Sequence, residues 1–191
     1  MANQLTLKEQ KILLQIARNA ITKKLQEEDI LPLILKEYPP KLQEKGACFI
    51  TIKKKGTLRG CVGSIEAVQP LIQDVHDRAI AAAFQDYRFP PLTLAELEEI
   101  RIEISRLTSP SIVKYQTPED LIGTLRPEID GVILRYQTRR ATFLPQVWEQ
   151  LPTAELFLNR LCIKLGLDQS IWRETPLQVE TYQAQRFQED D

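Results

Sequence analysis

Cys61 is the residue whose surroundings most suggest chemistry. It lies in the stretch TLRGCVGS (57–64), between Gly60 and Gly63 and two residues after Arg59. A thiol becomes nucleophilic when a nearby cation favours its thiolate form. Because residues two apart on a strand project from one face, we expect Arg59 to supply that field. We also expect the glycines to let a ligand approach the backbone; the alternative is a small buried cysteine beside a bulge.

Two further side chains are candidates for a role beside this thiol. Glu103 lies in IRIEISRL (100–107), where isoleucines alternate with polar residues as in a strand with one buried face. We expect its carboxylate to accept a proton or to orient Arg59; the alternative is a salt bridge that closes the edge of a sheet. Arg88, in the rigid loop DYRFPP, is expected to bind a substrate carboxylate or phosphate, the alternative being a structural latch to Asp86.

The other cysteines and the single histidine add no second site. Cys162 falls in an apolar helical pattern and is expected in the core, and His76 is expected to be a partly buried or surface residue. Three widely spaced cysteines without a CxxC pair match neither a disulfide framework nor a zinc set. The sequence has no phosphate-loop or dinucleotide motif. We therefore predict no metal and no cofactor.

The charge balance gives no general attraction to polyanions. The 191 residues carry 25 basic and 26 acidic side chains, for a formal net charge of −1, so neither nucleic acid nor an anionic membrane would attract the whole chain. The sequence has no leader-like pattern and no apolar stretch of bilayer length. We expect a cytoplasmic protein that does not bind membranes. RNA binding stays open only at two basic hairpin tips, Lys53–Lys55 and Arg139–Arg140.

Local patterns predict a mixture of helices and antiparallel strands. Thr6 with Glu9, and Thr93 with Glu96, are typical of capping boxes. The proline-containing segment 30–45 predicts a connector with at most one short helical turn. The other predicted elements are an N-terminal packing helix over 6–28, a hairpin closed at Lys54–Lys55–Gly56, helices over 70–84 and 153–165, a short helix from Thr117, and strands over 100–107 and 177–184.

The order hairpin, helix, strand occurs twice. GACFITIKKKGTLRGCVG from Gly46 aligns with GVILRYQTRRATFLPQVW from Gly131 at an offset of 85 residues, which makes Gln146 the counterpart of Cys61. The pattern predicts an α+β fold of two lobes, each a β-hairpin/helix/strand unit, with a largely antiparallel sheet covered by helices. The halves would span about 46–108 and 129–186. Cys61 and Gln146 are expected near their join, where concave sites form.

Six separated blocks of the sequence occur in a recognisable combination: TLRGCVGS, FQDYRFPPL, IEISRLTSP, DGVIL, ATFLPQVW and FLNRLCIKLGL. In this order they resemble the AMMECR family, whose prokaryotic members are called AmmeMemoRadiSam system protein A. The resemblance covers about residues 5–185, and LRGCxG is its best-known mark. It implies a single AMMECR-type domain over 1–191, with duplicated halves and a cleft near that block. The implied site comprises Arg59, Gly60, Cys61 and Gly63, with Glu103, Arg88 and Gln146 in support.

Two functional hypotheses are compatible with these residues. The resemblance implies a functional link with a MEMO-like protein and a radical SAM enzyme, but brings no settled reaction. The first hypothesis is a cysteine-dependent enzyme, or the substrate-handling component of one, that binds a small molecule or peptide around Cys61. The second is a non-catalytic adaptor whose cleft receives a peptide or a partner loop. RNA binding through the basic tips is a third, weaker hypothesis.

Overall fold

The chain is described by a computed structural model over residues 4–29 and 31–190. It forms two compact units. The first contains the residues up to Leu107 together with those from Gln185 onward, and the second spans Thr108–Ala184. Each unit has its own hydrophobic core, so the sheets and helices of each are described separately.

Helix α1 (Leu7–Leu25) begins at a capping box in the first unit. The Thr6 hydroxyl accepts from the Glu9 amide, and the Glu9 carboxylate accepts from the Thr6 amide at 2.7 Å. Both orphan groups at the helix start are thereby satisfied, which confirms the predicted box. One face of the helix enters the core with Leu13, Ile16, Ala17, Ala20 and Ile21.

The connector after α1 contains more helix than its prolines indicated. A 3₁₀ turn covers Leu35–Glu37, and a short helix α2 covers Pro40–Gln43. The expectation of at most one helical turn is therefore wrong. Pro40 occupies the first turn of α2, where a missing amide hydrogen costs no hydrogen bond.

The first sheet packs one face against helices and leaves the opposite face polar. Isoleucines 100, 102 and 104 are fully buried in the core that contains residues of α1 and of helix α3 (Leu71–Phe84). Strand alternation puts the intervening residues on the opposite side, called here the outer face. The strands, in spatial order, are β10 (Ala184–Gln188), β5 (Ile100–Leu107), β2 (Cys48–Lys54) and β3 (Thr57–Gly63); β1 (Lys45–Gly46) pairs with β4 (Gln69–Pro70), and α3 spans Leu71–Phe84.

The β2–β3 hairpin contains a tight turn and an irregularity. Lys55 and Gly56 both have positive φ, of 50° and 79°, as a two-residue turn of type I′ requires. The hairpin predicted at this point is confirmed. Beyond the turn the register shifts, because Lys53 lies opposite Leu58 whereas Ile52 lies opposite Gly60. The extra residue in β3, Arg59, forms a β-bulge.

The second unit repeats the order of the first. In each, a hairpin is followed by a helix and then by a strand that pairs antiparallel with the first strand of the hairpin. The predicted α+β fold with a duplicated unit is confirmed. Its spatial strand order is β6 (Ser111–Ile112), β9 (Gln178–Tyr182), β7 (Gly131–Tyr136) and β8 (Arg139–Phe143); its helices are α4 (Pro118–Thr124), α5 (Ala154–Leu165) and α6 (Ile171–Glu174).

The alignment of the two hairpins differs from the sequence-based one by three residues. Their turns lie at residues 55–56 and 137–138, an offset of 82 rather than 85. Thr142 therefore takes the position of Cys61, since each lies opposite the equivalent residue of the first hairpin strand. Gln146 lies beyond β8, on a 3₁₀ turn over Pro145–Glu149. The pairing of Gln146 with Cys61 is wrong because chance identities set the offset.

The core of the second unit is built around an aromatic pair. The rings of Trp148 and Phe157 stack with centroids 3.9 Å apart, and the Trp148 indole donates to the Asp130 carbonyl at 2.6 Å. The large side chains are thereby buried without an unpaired indole donor. Within residues 4–29 and 31–190, no helix has the length and apolar character needed to cross a membrane.

Gly60→Ala is expected to destabilise the protein. A Cβ at residue 60 would overlap the carbonyl oxygen of Ala82 in α3, and backbone that cannot move aside makes such overpacking cost about 1–3 kcal/mol. Urea denaturation followed by circular dichroism measures the change. Gly123→Ala is the control, because a Cβ there meets open space within α4; equal stability losses in both variants would contradict the prediction.

Candidate functional site

Cys61 presents the one partly exposed thiol of this chain. The side chains of Cys48 and Cys162 are fully buried. Burial raises the pKa of both thiols, that of Cys162 to about 11, and the Asp74 carboxylate raises that of Cys48 further. Cys61 lies on the outer face, with its Sγ 3.4 Å from the Thr51 hydroxyl on β2. It is the thiol that a reagent or substrate can reach.

Arg59 does not lie on the face of Cys61. The bulge puts Leu58 on that face, because Leu58 lies opposite Lys53. The Arg59 guanidinium forms a two-pronged salt bridge with Glu96, at 3.0 Å from Nε and 3.1 Å from Nη2. The expectation that it activates the thiol from the same face is wrong. The hydrogen bonds from Arg59 lower the pKa of Glu96 to about 2.

Asp86 holds the backbone of Cys61 from the loop after α3. Its Oδ2 accepts the Cys61 amide at 2.8 Å and Arg88 Nη2 at 2.7 Å, while its Oδ1 accepts Arg88 Nε at 2.9 Å. Arg88 in turn reaches the Cys61 carbonyl at 3.4 Å. The hydrogen bonds from Arg88 keep the Asp86 pKa well below its usual range. Arg88 therefore forms the latch to Asp86 that the sequence offered as the alternative, and its binding of a substrate anion stays a prediction.

This latch protects an exposed strand edge. Strand β3 is the last strand of its sheet, so the amide and carbonyl of Cys61 on its outer edge would otherwise need another partner. The side chains of Asp86 and Arg88 take that place. Phe89 follows, with its ring centroid 5.5 Å from the Arg88 Cζ and 5.9 Å from the Arg59 Cζ.

The glycines beside Cys61 serve packing within the protein. The space that a side chain at residue 60 would need holds the Ala82 carbonyl, and at residue 63 it holds the ring of Phe49. Protein atoms therefore fill both positions, which explains the two glycines by packing; a ligand contact at Gly60 or Gly63 stays a prediction. The alternative, in which the glycines accommodate the local backbone, agrees with the bulge.

Glu103 lies within the sheet and binds two cations. Its Oε2 is 3.0 Å from Lys53 Nζ and 2.7 Å from Arg186 Nη2, and only 5% of its side chain is exposed. Glu103 therefore forms salt bridges, but on an internal strand rather than at the edge of the sheet, and its role as a proton acceptor stays a prediction. Glu103 does not orient Arg59, whose guanidinium is held by Glu96.

A row of polar side chains crosses the outer face. Thr51 lies opposite Cys61 on one side and opposite Glu103 on the other, so the three share one level of strands β3, β2 and β5. Lys53 is the next outward residue of β2, and Arg186 enters from β10. We call Cys61, Thr51, Lys53, Glu103 and Arg186 the outer-face cluster.

Sequence reasoning missed three members of this cluster. Thr51 and Lys53 had a readable signal, since CFITIKK alternates apolar and polar residues and so predicts which of them point outward. Arg186 had none, because its strand joins the sheet from the far end of the chain. Gln146 lies in the second unit, and its role beside Cys61 stays a prediction.

No cluster of three metal-binding side chains occurs in the part of the chain that the structure describes. His76 Nδ1 lies 2.9 Å from Asp77 Oδ1 on helix α3. Asp74, fully buried nearby, accepts from the Cys48 amide, the Ser64 hydroxyl and Arg78. This carboxylate joins the start of α3 to strand β2 and to the residue that follows β3, which is a structural role.

The fold and the site define an α+β protein of two hairpin–helix–strand units, with one accessible thiol in the first. A family model described as AMMECR1 matches residues 14–187. A protein of Thermofilum pendens is 37% identical, over 97% of this chain and 92% of its own length. Protein MJ0810 of Methanocaldococcus jannaschii is 35% identical, with the same coverage of each chain.

A solved structure has the same fold. The crystal structure of uncharacterized protein PH0010 from Pyrococcus horikoshii matches with a TM-score of 0.88 and 30% identity, over 97% of this chain and 94% of that one. The chain therefore belongs to the AMMECR1 family. The resemblance that the LRGCxG block and its companions indicated is confirmed.

Glu96→Gln is expected to lower stability at neutral pH by about 1.5–3 kcal/mol, the range for hydrogen bonds to a charged group. Because the Glu96 pKa is lowered from 4.5 to about 2, its contribution is complete above pH 4.5 and is lost as pH falls towards 2. The difference between wild type and variant should close over that interval. Thermal melts across this pH range measure it.

Exposed Glu98, changed to Gln, provides the control for the Glu96 substitution. It should melt like the wild type at every pH. A constant difference between Glu96→Gln and wild type from neutral pH down to 2 would contradict the assigned ion pair.

Proposed function

We propose that this protein handles a substrate on the outer face of its first sheet, with Cys61 as the group that contacts the substrate. The observation that carries the proposal is the position of the accessible thiol, 3.4 Å from the Thr51 hydroxyl and in one cross-strand row with Glu103. The outer-face cluster combines a thiol, a hydroxyl, a carboxylate and two cations. These groups are of the types that bind and convert small molecules in active sites.

The support for Cys61 is rigid. Its amide and carbonyl are held by the Asp86–Arg88 latch, and its strand is packed directly on α3 at Gly60. A reacting group fixed by hydrogen bonds and packing from a second set of residues loses less entropy when substrate binds. Arg59 and Glu96 contribute to this support rather than to the reaction.

The surroundings of Glu103 favour a polar-ligand site on this face over a purely structural role for the face. A carboxylate whose side chain is only 5% exposed is costly to bury, and two cations compensate it here. Removal of either cation would leave part of a buried charge uncompensated, so Glu103 fixes where both cations lie. In this role Glu103 positions Lys53 and Arg186.

A non-catalytic adaptor is the second candidate, and exposed apolar side chains favour it. Leu58, Tyr87 and Leu94, at the bulge and in the segment after α3, are 40%, 95% and 56% exposed. Of these, Tyr87 is the strongest observation, because tyrosine is among the residue types enriched at protein–protein interfaces. Under this proposal Cys61→Ser would keep partner binding, whereas Tyr87→Ser would weaken it.

RNA binding has less support. At the first hairpin tip Lys53 pairs with Glu103, Lys54 with Glu96 and Glu99, and Lys55 with Glu99. Lys54 and Lys55 are thereby neutralised, so this tip as a whole would release few counterions on binding a phosphate backbone. We therefore do not carry this hypothesis forward.

We also propose the functional partners that the family resemblance implies, a MEMO-like protein and a radical SAM enzyme, in the cytoplasm. The three free thiols suit that reducing compartment. Affinity capture from cell extract with wild type and Cys61→Ser as baits would test the link. Recovery of neither protein with either bait would remove it.

Native alkylation tests the central proposal. Iodoacetamide at neutral pH is expected to modify Cys61 while Cys48 and Cys162 stay unmodified, because only Cys61 is accessible and burial keeps the other two thiols protonated. Peptide mass spectrometry over time gives the three rates. Cys162→Ser is the matched control and should leave the Cys61 rate unchanged; modification of Cys61 no faster than that of Cys48 would overturn the proposal.

A further inference from the structure

Strand pairing places two cations directly opposite each other on the outer face. Lys53 of β2 lies opposite Arg101 of β5. Like charges at directly opposed positions of antiparallel strands repel each other and destabilise the sheet. The pair therefore needs a compensating negative charge near it.

The ion pairs among the described residues supply only part of that compensation. Glu103 binds Lys53 and also Arg186, so one carboxylate serves two cations. Arg101 hydrogen-bonds the Ile100 carbonyl, a neutral group. The nearby carboxylates of Glu99 and Glu189 have other partners, which are Lys54 and Lys55 for the first and Arg18 for the second.

Within residues 4–29 and 31–190, the three cations of this patch have one ion-paired carboxylate among them, that of Glu103. Lys53 and Arg186 keep 33% and 42% of their side chains exposed, and Arg101 is exposed as well, so a solute can reach all three. The patch adjoins the thiol, because Lys53 is the next outward residue of β2 after Thr51, which lies opposite Cys61. Such diagonal neighbours stand about 7–8 Å apart.

We infer that Lys53, Arg101 and Arg186 form an oxyanion site, and that the substrate reaching Cys61 carries a carboxylate or phosphate group. The inference rests on the proposed function and adds its substrate class. Arginine binds either group with two parallel hydrogen bonds, and lysine adds a point charge. Glu103 holds Lys53 and Arg186 in place when no anion is bound.

Two alkylating reagents of different charge test this site. Iodoacetate and iodoacetamide attack the same thiolate, so the ratio of their rates at Cys61 is independent of how much thiolate is present. Excess positive charge attracts the anionic reagent, iodoacetate. The rate with iodoacetate divided by the rate with iodoacetamide should therefore be about three- to tenfold larger at Cys61 than for N-acetylcysteinamide at low salt. At high salt this ratio should fall towards the value for N-acetylcysteinamide. Arg101→Gln and Arg186→Gln should each lower the ratio.

Arg160→Gln is the matched control, because Arg160 is exposed on α5 in the second unit. It should keep the wild-type ratio. A wild-type ratio equal to that of the small thiol, with Cys61 still reactive towards iodoacetamide, overturns the oxyanion site and leaves the proposed function standing. A Cys61 inert to both reagents overturns the proposed function instead.

Titration with inorganic phosphate at constant ionic strength tests the oxyanion site independently of the thiol. Calorimetry should show saturable binding at millimolar concentrations that is lost in the Arg101→Gln/Arg186→Gln double variant and kept in Arg160→Gln. Circular dichroism verifies that the double variant is folded. Absence of saturable binding by wild type, or equal binding by the double variant, overturns the site.

Discussion

The β-bulge at Arg59 is the constraint on which the arrangement of the first unit depends. One extra residue in β3 shifts the register between Ile52 and Lys53, so Arg59 leaves the face that alternation from Cys61 would give it. Its guanidinium then meets Glu96, while Gly60 meets the backbone of α3 and Cys61 stands opposite Thr51. Without the bulge, the strand could not satisfy all three contacts at once.

The latch at Asp86 completes what the bulge begins. An edge strand must either hide its outward backbone groups or risk pairing with another chain. Here a buried carboxylate and its arginine bind the amide and carbonyl of Cys61. The same hydrogen bonds that protect the edge fix the thiol relative to the cations of the outer-face cluster. The Asp86–Arg88 latch therefore both protects the strand edge and positions the candidate site.

The two units share a strand order but differ in the residue at the position of Cys61. In the second hairpin the position of Cys61 is taken by Thr142, whose hydroxyl hydrogen-bonds the Val132 carbonyl and the Tyr182 hydroxyl. Its strands β7 and β8 pair without a bulge. Both copies keep the strand order that buries an apolar face, since any such unit needs it. Of the two equivalent positions, only the first holds a cysteine.

The sequence by itself determined the local elements of this protein. Capping at Thr6, the isoleucine alternation of 100–107 and the glycine of the first hairpin turn each depend on neighbours within a few residues, and each is confirmed. The thiol was also identifiable, through its LRGCxG block. Tertiary structure alone decided the partners of Arg59 and Arg186. Arg59 pairs with Glu96 rather than lying beside Cys61, because a bulge alters the strand periodicity. Arg186 contacts Glu103 because the last strand of the chain joins the first sheet. Periodic sequence patterns reveal neither a bulge nor such a long-range strand pairing.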